Sequence, residues 1–401
     1  MSTIRHITLP GGFAAAGAKA GIKASGREDV ALFVAEHDAA AALLTTSNQI
    51  VGAPVLWCRR VLPRGYGKVR AFVVNSGCSN VCTGKRGEQD AQTMAGEVAK
   101  VLHTRPTKVL VASTGVIGRP LPMAKVRRGI GAAVRNLGRN HDAKALRAIM
   151  TTDTRQKSAV VRTRIGGKAV TVAGIIKGAG MIAPSLATMI CVVTTDAAVS
   201  PAALHKALKA AADETLDAVT IDSDTSTSDT VVAMASGAAG NARITSRSPH
   251  YRKLAAALRE VLWELSRAMA ADGEGATRLV IVDVRGARSA PEAKAAAKSV
   301  ADSPLVKTAV HGQDPNWGRI AMALGKSSAK IVAETLHIRI GPTRVFARGR
   351  PTRFDAKAVS AYLGGKEIRI VCDLGLGKAA FTALTCDLSR EYITINADYT
   401  T

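Results

Sequence analysis

Short apolar runs rich in β-branched residues alternate along this chain with stretches of 3.6-residue periodicity, and that alternation points to an α/β architecture. The strand candidates are Val30–Ala35, Arg70–Val74, Val109–Ala112, Val170–Ile176, Thr188–Thr194, Leu279–Val284 and Ile368–Cys372. Between them, Ala91, Met94, Ala95, Val98, Val101 and Leu102 fall on one face of a helix. A second helix opens at Ser200-Pro201, a preferred N-cap followed by a residue suited to the first helical position, and continues through Leu204, Leu208 and Ala211. A third covers about 252–269, with Leu254, Leu258, Val261, Leu262 and Leu265 facing inward. There is no internal repeat and no low-complexity segment.

At 401 residues the chain is too long for one ordinary domain. Its residues are 47% hydrophobic but only 3% aromatic, so a sizeable core must be packed with Ala, Val, Leu and Ile. No apolar run reaches the length of a membrane helix. The start, Met1-Ser-Thr-Ile-Arg-His-Ile7, lacks the pattern of a secretory signal. Cys58, Cys78, Cys82, Cys191, Cys372 and Cys386 have no zinc-like spacing and read as reduced thiols of a cytoplasmic protein. The net charge of +24 raises a nucleic-acid-binding reading. The basic residues are dispersed, however, with no basic tail and no aromatic interleaving for base stacking. A solvated basic surface that steers anionic substrates is the reading adopted, without a specific nucleic-acid partner.

The most informative stretch runs from Lys177-Gly-Ala-Gly-Met-Ile-Ala-Pro-Ser-Leu to Ala187 and Thr188. A glycine-bearing approach meets a Thr that opens an apolar run. A Thr hydroxyl is a nucleophile only with a base in reach. Cutting the Ala187–Thr188 bond would supply one, because the freed α-amine titrates at about 7.7–8.0.

Other segments carry polar chemistry. Ser113-Thr114-Gly115 follows an apolar run, where a Gly N–H can face a developing oxyanion or simply end a strand. Lys177 and Glu274, the latter between two glycines, could meet the carboxylate and amines of an amino acid, or be solvated loop charges. Asp222–Asp229 resembles a calcium loop but has Thr227 and Ala233 where Gly and Glu are needed, so no metal is assigned. Gly325-Lys-Ser327 lacks the earlier Gly of a phosphate loop, with Ile320 in its place. Ser185 lacks the spaced glycines of a serine-hydrolase elbow. His311 reads as structural.

Eight segments in order resemble the self-cleaving glutamate/ornithine N-acetyltransferase family of arginine biosynthesis. They are the Lys177–Thr188 stretch; Asn75-Ser-Gly-Cys-Ser-Asn80 with Cys82-Thr-Gly84; Ser113-Thr-Gly-Val-Ile-Gly118; Met150-Thr-Thr-Asp-Thr154; Asp224-Thr-Ser-Thr-Ser-Asp-Thr230; Asp272-Gly-Glu-Gly-Ala276; His311-Gly-Gln-Asp-Pro-Asn-Trp-Gly-Arg319; and Asn396-Ala-Asp-Tyr-Thr-Thr401. The resemblance implies a layered autoproteolytic α/β fold, akin to self-cleaving aminopeptidase folds, with a C-terminal α/β lobe at about 280–390. It implies an α chain of 1–187 and a β chain of 188–401, assembled as two of each. It makes Thr188 the nucleophile, Thr114 and Gly115 the oxyanion hole, and Thr151, Lys177, Thr188, Glu274, Asn396 and Thr401 the substrate contacts. The reaction implied is acetyl transfer from N-acetylornithine to glutamate with no metal or organic cofactor; acetyl-CoA as a further co-substrate stays open. A self-cleaving aminopeptidase, with water as acceptor, is the alternative of related fold. Tyr392, Ile393 and Ile395 are expected to form a strand that ties down the terminal segment.

Overall fold

The structure, a computed structural model, describes residues 6–183 and 189–398. Two compact units divide the chain, one taking in residues up to 217 and 225–265, the other 218–224 and 266 onward.

The first unit is built on a sheet of eight strands among the described residues: β1 Phe13–Ala18, β2 Val30–Thr45, β3 Tyr66–Cys78, β4 Val109–Val116, β5 Lys157–Ile165, β6 Lys168–Lys177, β7 Ile190–Thr195 and β8 Thr230–Ala235. Their order is β4-β3-β2-β8-β7-β6-β5, with β1 paired to the first half of β2. The β3–β4 and β7–β8 pairs are parallel and the other pairs antiparallel. The expected strand Val30–Ala35 is thus half of a longer one. An irregularity between Val34 and Ala39 leaves Glu36, His37 and Asp38 exposed, which breaks the apolar pattern in the sequence. Beyond it, Ala40–Thr45 turns to pair with β8.

Helices α1 Ala53–Val61, α2 Gly84–Val101, α3 Met123–Arg135 and α4 Asp142–Ile149 share one apolar cluster with the sheet. Small residues dominate it, as the low aromatic content requires, and they permit very close approach. A Cβ on Gly17 of β1 would lie 2.1 Å from the Lys144 carbonyl oxygen of α4. Helix α5, Pro201–Glu214, packs on β2, β3 and β8. Its start is as expected: the Ser200 hydroxyl accepts the Ala203 N–H at 3.3 Å. The long helix α6, Tyr251–Ala271, lays Val261 and Leu265 on Gly174 of β6, where a Cβ would meet both at 2.8 Å.

The second unit has six strands among the described residues: β9 Leu279–Ala287, β10 His337–Ile340, β11 Thr343–Ala347, β12 Arg350–Pro351, β13 Glu367–Asp373 and β14 Ala379–Cys386, in the order β12-β11-β10-β13-β9-β14. Helices α7 Ala290–Ala301, α8 Pro304–His311, α9 Trp317–Gly325 and α10 Ala356–Leu363 accompany it. The unit closes with α11, Arg390–Asp398. That helix corrects the expected strand at Tyr392–Ile395. Strand propensity of isolated Ile and Tyr residues is weak without a partner and a buried face. Here Ile393 is 68% exposed, and the Ser389 hydroxyl accepts the Glu391 N–H at the helix start.

All six cysteines are unpaired, and only Cys82 is exposed. No described helix is long and apolar enough to cross a membrane.

Candidate active site

The Ser113-Thr114-Gly115 motif lies inside β4 rather than after it, because the strand continues to Val116. Parallel register sets Ser76 beside Thr114 and Gly77 beside Gly115. The backbones meet so closely there that a Cβ on Gly115 would sit 2.5 Å from the Gly77 carbonyl carbon and 2.7 Å from the Cys78 nitrogen. Gly115 also has a φ of 125°, a conformation open in practice to glycine. Neighbouring polar groups lock the strand ends. The Ser113 hydroxyl donates to Asn75 Oδ1 at 2.6 Å, and Asn75 Nδ2 donates to the Cys78 carbonyl at 2.8 Å. The Ser76 hydroxyl donates to the Ala148 carbonyl at the end of α4, just before Met150 and Thr151. Thr114 is 3% exposed. A buried hydroxyl beside a backbone N–H pinned in an unusual conformation is the kind of donor pair that suits an oxyanion.

Thr151 and Lys177 are drawn together by a residue whose role the motif reading missed, Asp153. Its Oδ2 accepts the Thr151 N–H at 3.0 Å. Its Oδ1 accepts Lys157 Nζ at 2.6 Å and the Gly178 N–H, next to Lys177, at 2.7 Å. Burial alone would raise the Asp153 carboxyl, but the Lys157 and Lys177 charges and these hydrogen bonds hold it at about 2. Lys177 is buried at the end of β6, where it pairs in register with Ile190.

Lys23 is a second cation that sequence reasoning did not single out. Its Nζ donates to the Glu28 carbonyl at 2.8 Å and the Arg147 carbonyl at 3.3 Å. Burial pulls its amine down to about 8, the Asp29 carboxylate opposes that, and Lys177 pushes it lower. The turn that carries it is built on Asp29, which accepts the N–H groups of Ala20, Ile22 and Lys23. Lys23 also packs on Gly77, the register partner of Gly115, since a Cβ on Gly77 would lie 3.3 Å from Lys23 Cγ. Within the first unit, Thr151 and the Lys177 segment thus converge on Asp153, and Lys23 lies against the register partner of Gly115.

Ala187 and Thr188 lie outside the described residues, as does Thr401. The structure resumes at Met189, which is held on both sides. Its N–H donates to Asp229 Oδ1 at 2.8 Å, and its carbonyl accepts the Thr230 N–H at 3.0 Å. Asp229, the last acid of the Asp222–Asp229 segment, is fully buried, and burial raises its carboxyl well above the ordinary range. The signal that could have marked it is an acid separated by a single Thr from a wholly apolar run, Val231–Ala235.

In the second unit Glu274 and Asn396 meet, although they lie far apart in sequence. Asn396 Nδ2 donates to Glu274 Oε2 at 2.8 Å and to the Tyr392 carbonyl at 2.9 Å. Glu274 is 7% exposed. Burial raises the Tyr392 hydroxyl, and the Asp222, Glu274 and Asp224 carboxylates push it further. A left-handed turn at Gly275 (φ 69°) and a hydrogen bond from the Ser389 hydroxyl to its carbonyl fasten the loop to the start of α11. His311 Nδ1 contacts Asp387 Oδ2 at 2.8 Å, and Asp387 also accepts the Thr277 and Arg278 N–H groups.

The ArgJ family model matches residues 14–401 of the chain. An "Arginine biosynthesis bifunctional protein ArgJ" of Symbiobacterium thermophilum is 46% identical over 400 residues, covering 98% of each chain. The protein of that name from Synechocystis is 44% identical over 405 residues, covering 99% of this chain and 98% of its own. Among solved structures, the protein named argJ from Bacillus halodurans aligns with a TM-score of 0.50 at 41% identity, over 51% of this chain and 97% of its own.

Proposed function

We propose, for a chain that belongs to the ArgJ family and is an acyltransferase, the transfer of an acetyl group from N-acetylornithine to glutamate in arginine biosynthesis. The first step is self-cleavage. The Thr188 hydroxyl attacks the Ala187 carbonyl, and hydrolysis of the resulting ester leaves an α chain ending at Ala187 and a β chain beginning with Thr188. The half-length span of the Bacillus halodurans chain on this one is in keeping with a polypeptide divided in two.

In the cut enzyme the α-amine of Thr188 takes the proton from its own hydroxyl, which attacks the acetyl carbonyl of N-acetylornithine. The Thr114 hydroxyl and the Gly115 N–H receive the charge that develops on the carbonyl oxygen. Ornithine departs with a proton, and the acetyl ester on Thr188 is passed to the amine of glutamate. Lys177 and the Thr151 segment hold substrate carboxylate. Glu274 and Asn396 meet the side-chain end of the donor, and Thr401 completes the contacts. No metal or organic cofactor enters the scheme, and acetyl-CoA would serve as a second acetyl donor in a bifunctional enzyme.

The observation that carries this reading is the Thr114–Gly115 pair. It is held on β4 by the clash-limited contact with Gly77, in the same unit as Thr151 and Lys177. The test is direct. Purified protein is given glutamate with N-acetylornithine or with acetyl-CoA, and N-acetylglutamate is measured. The second chain should begin Thr-Met-Ile-Cys on sequencing. A single uncut chain with full activity would overturn the mechanism.

A further inference from the structure

A recognition carboxylate works only if its neighbours hold it in place, and several residues that hold Glu274 play no part in the scheme above. Glu274 lies in the loop 272–278 between α6 and β9, flanked by glycines whose positions leave no room for a side chain. A Cβ on Gly273 would lie 2.8 Å from Cys386 Sγ, and one on Gly275 would lie 2.5 Å from the Tyr392 nitrogen in the first turn of α11. Residues 386–389 grip this loop at three points. Cys386 abuts Gly273, the Ser389 hydroxyl donates to the Gly275 carbonyl at 2.6 Å, and Asp387 stands between them.

Asp387 makes the closest grip, and its side chain is wholly buried. Oδ1 accepts the Thr277 N–H at 2.7 Å and the Arg278 N–H at 2.8 Å. Oδ2 accepts the Thr277 hydroxyl at 2.6 Å, His311 Nδ1 at 2.8 Å and, more loosely, Arg278 Nη1 at 3.4 Å. A carboxylate only accepts, so Nδ1 carries the proton in that contact. Burial alone would raise this carboxyl, but the hydrogen bonds from Thr277, His311 and Arg278 hold it below its ordinary range. His311 comes from the end of α8, and its carbonyl accepts Arg278 Nη1 at 3.2 Å. Beyond Asp387 the chain runs into α11, whose Asn396 reaches back to Glu274 Oε2 at 2.8 Å. Both sides of the Glu274–Asn396 contact therefore lead away from one carboxylate.

We propose that Asp387, backed by His311, is the positioning residue of Glu274: it holds loop 272–278 against the start of α11 so that Glu274 and Asn396 meet, and thereby sets the preference for an acetyl donor with a cationic side chain. This rests on the reading of Glu274 as the partner of the donor's side-chain ammonium.

Asp387→Asn keeps the shape and one oxygen but turns an amide NH2 toward groups that donate to Oδ2. With N-acetylornithine, kcat/KM should fall about ten- to a hundredfold, as a misplacement of about 1 Å can cost that much. With N-acetylnorvaline, the same donor without its side-chain amine, it should change little. A residue that acts through Glu274 is coupled to it, so the loss should largely vanish in a Glu274→Gln background. His311→Ala removes one donor from the carboxylate and should show a smaller loss of the same selectivity. His311→Asn places an amide nitrogen where Nδ1 stands and should restore the activity.

The experiment measures kcat/KM for both donors, per folded molecule, in wild type, Asp387→Asn, Glu274→Gln, their double variant and the two His311 variants. Equal losses on both donors in Asp387→Asn, or a full loss repeated in the Glu274→Gln background, overturn the proposal, because either marks a brace of the whole fold. Where Asp387→Asn yields no folded protein, the His311 pair decides: a donor-selective loss that His311→Asn restores upholds the proposal, and an equal loss on both donors, or none, overturns it. Glu274→Gln losing equally on both donors, or not at all, refutes the Glu274 reading itself, and that result is read with Asp387 intact.

Discussion

Gly115→Ala adds a single methyl where the structure has no room for it. The new carbon would stand 2.5 Å from the Gly77 carbonyl carbon and 2.7 Å from both the Cys78 nitrogen and the Gly77 Cα. All three are backbone atoms in the paired strand β3, so no side-chain rotation relieves the overlap. The φ of 125° is a second penalty for any residue with a Cβ. Such a backbone conformation costs about 1–3 kcal/mol and overpacking costs about 1–3 kcal/mol, so the variant should lose about 2–6 kcal/mol of stability. Relief requires β3 and β4 to part at their ends, which would swing the Gly115 N–H away from the oxyanion it is proposed to receive. Losing one such donor lowers kcat on the order of 10²–10³-fold. Urea unfolding gives the first number and acetyl transfer per folded molecule gives the second. Thr114→Ala is the control: it removes a hydroxyl without strain, so kcat should fall similarly while stability changes little. If Gly115→Ala is destabilised but each folded molecule turns over at the wild-type rate, the contact is right and the oxyanion assignment wrong. If stability is also unchanged, the steric argument fails.

Three further outcomes are expected. Glu274→Gln keeps the shape that Asn396 contacts but removes the charge; transfer from N-acetylornithine should weaken by roughly 2–5 kcal/mol in kcat/KM while self-cleavage proceeds, and normal turnover would make Glu274 a bystander. Deleting residues 396–401 removes the Asn396 partner of Glu274 and should abolish transfer while leaving cleavage and the circular dichroism spectrum in place; full activity would refute both tail assignments. Asp153, held at about 2 in the fold, contributes stability that is complete above its unfolded value of about 3.9 and is lost as pH falls toward 2. Acid unfolding of Asp153→Asn should therefore lack a component of about 2–3 kcal/mol over that window, and an identical acid slope would refute it.

The strand centres were legible because buried runs such as Val109–Ala112 and Val170–Ile176 need no partner to be recognised. The first strand, Phe13–Ala18, was not: Ala and Gly carry little strand signal, and its identity comes from pairing with Val30–Ala35. The tail was misread for the converse reason, since Ile393 and Ile395 suggest a strand while the local capping at Ser389 makes a helix. At the site, the motifs singled out Thr114, Gly115, Lys177, Glu274 and Asn396, but not that Glu274 and Asn396 meet. Lys157, Asp29 and Lys23 escaped notice, and Asp153 and Asp229 stood only as letters inside longer motifs, because their importance is relational. Each becomes informative only once folding sets it against a backbone N–H, a carbonyl or another charge that sequence spacing alone does not reveal.

The strand order has one consequence for the proposed cut. From one edge, the sheet reads β4, β3 and β2, then β8 and β7, then β6 and β5. A break after residue 187 would assign the outer groups to one polypeptide and the central two strands to the other. The products would then be interdigitated rather than side by side. Neither could leave without stripping backbone hydrogen bonds from both flanks of a buried pair, so dilution alone would not part them. Mixing separately made halves would in turn require one to thread into a gap that its absence cannot hold open. Such an arrangement arises naturally only from a precursor that folds first and is severed afterwards.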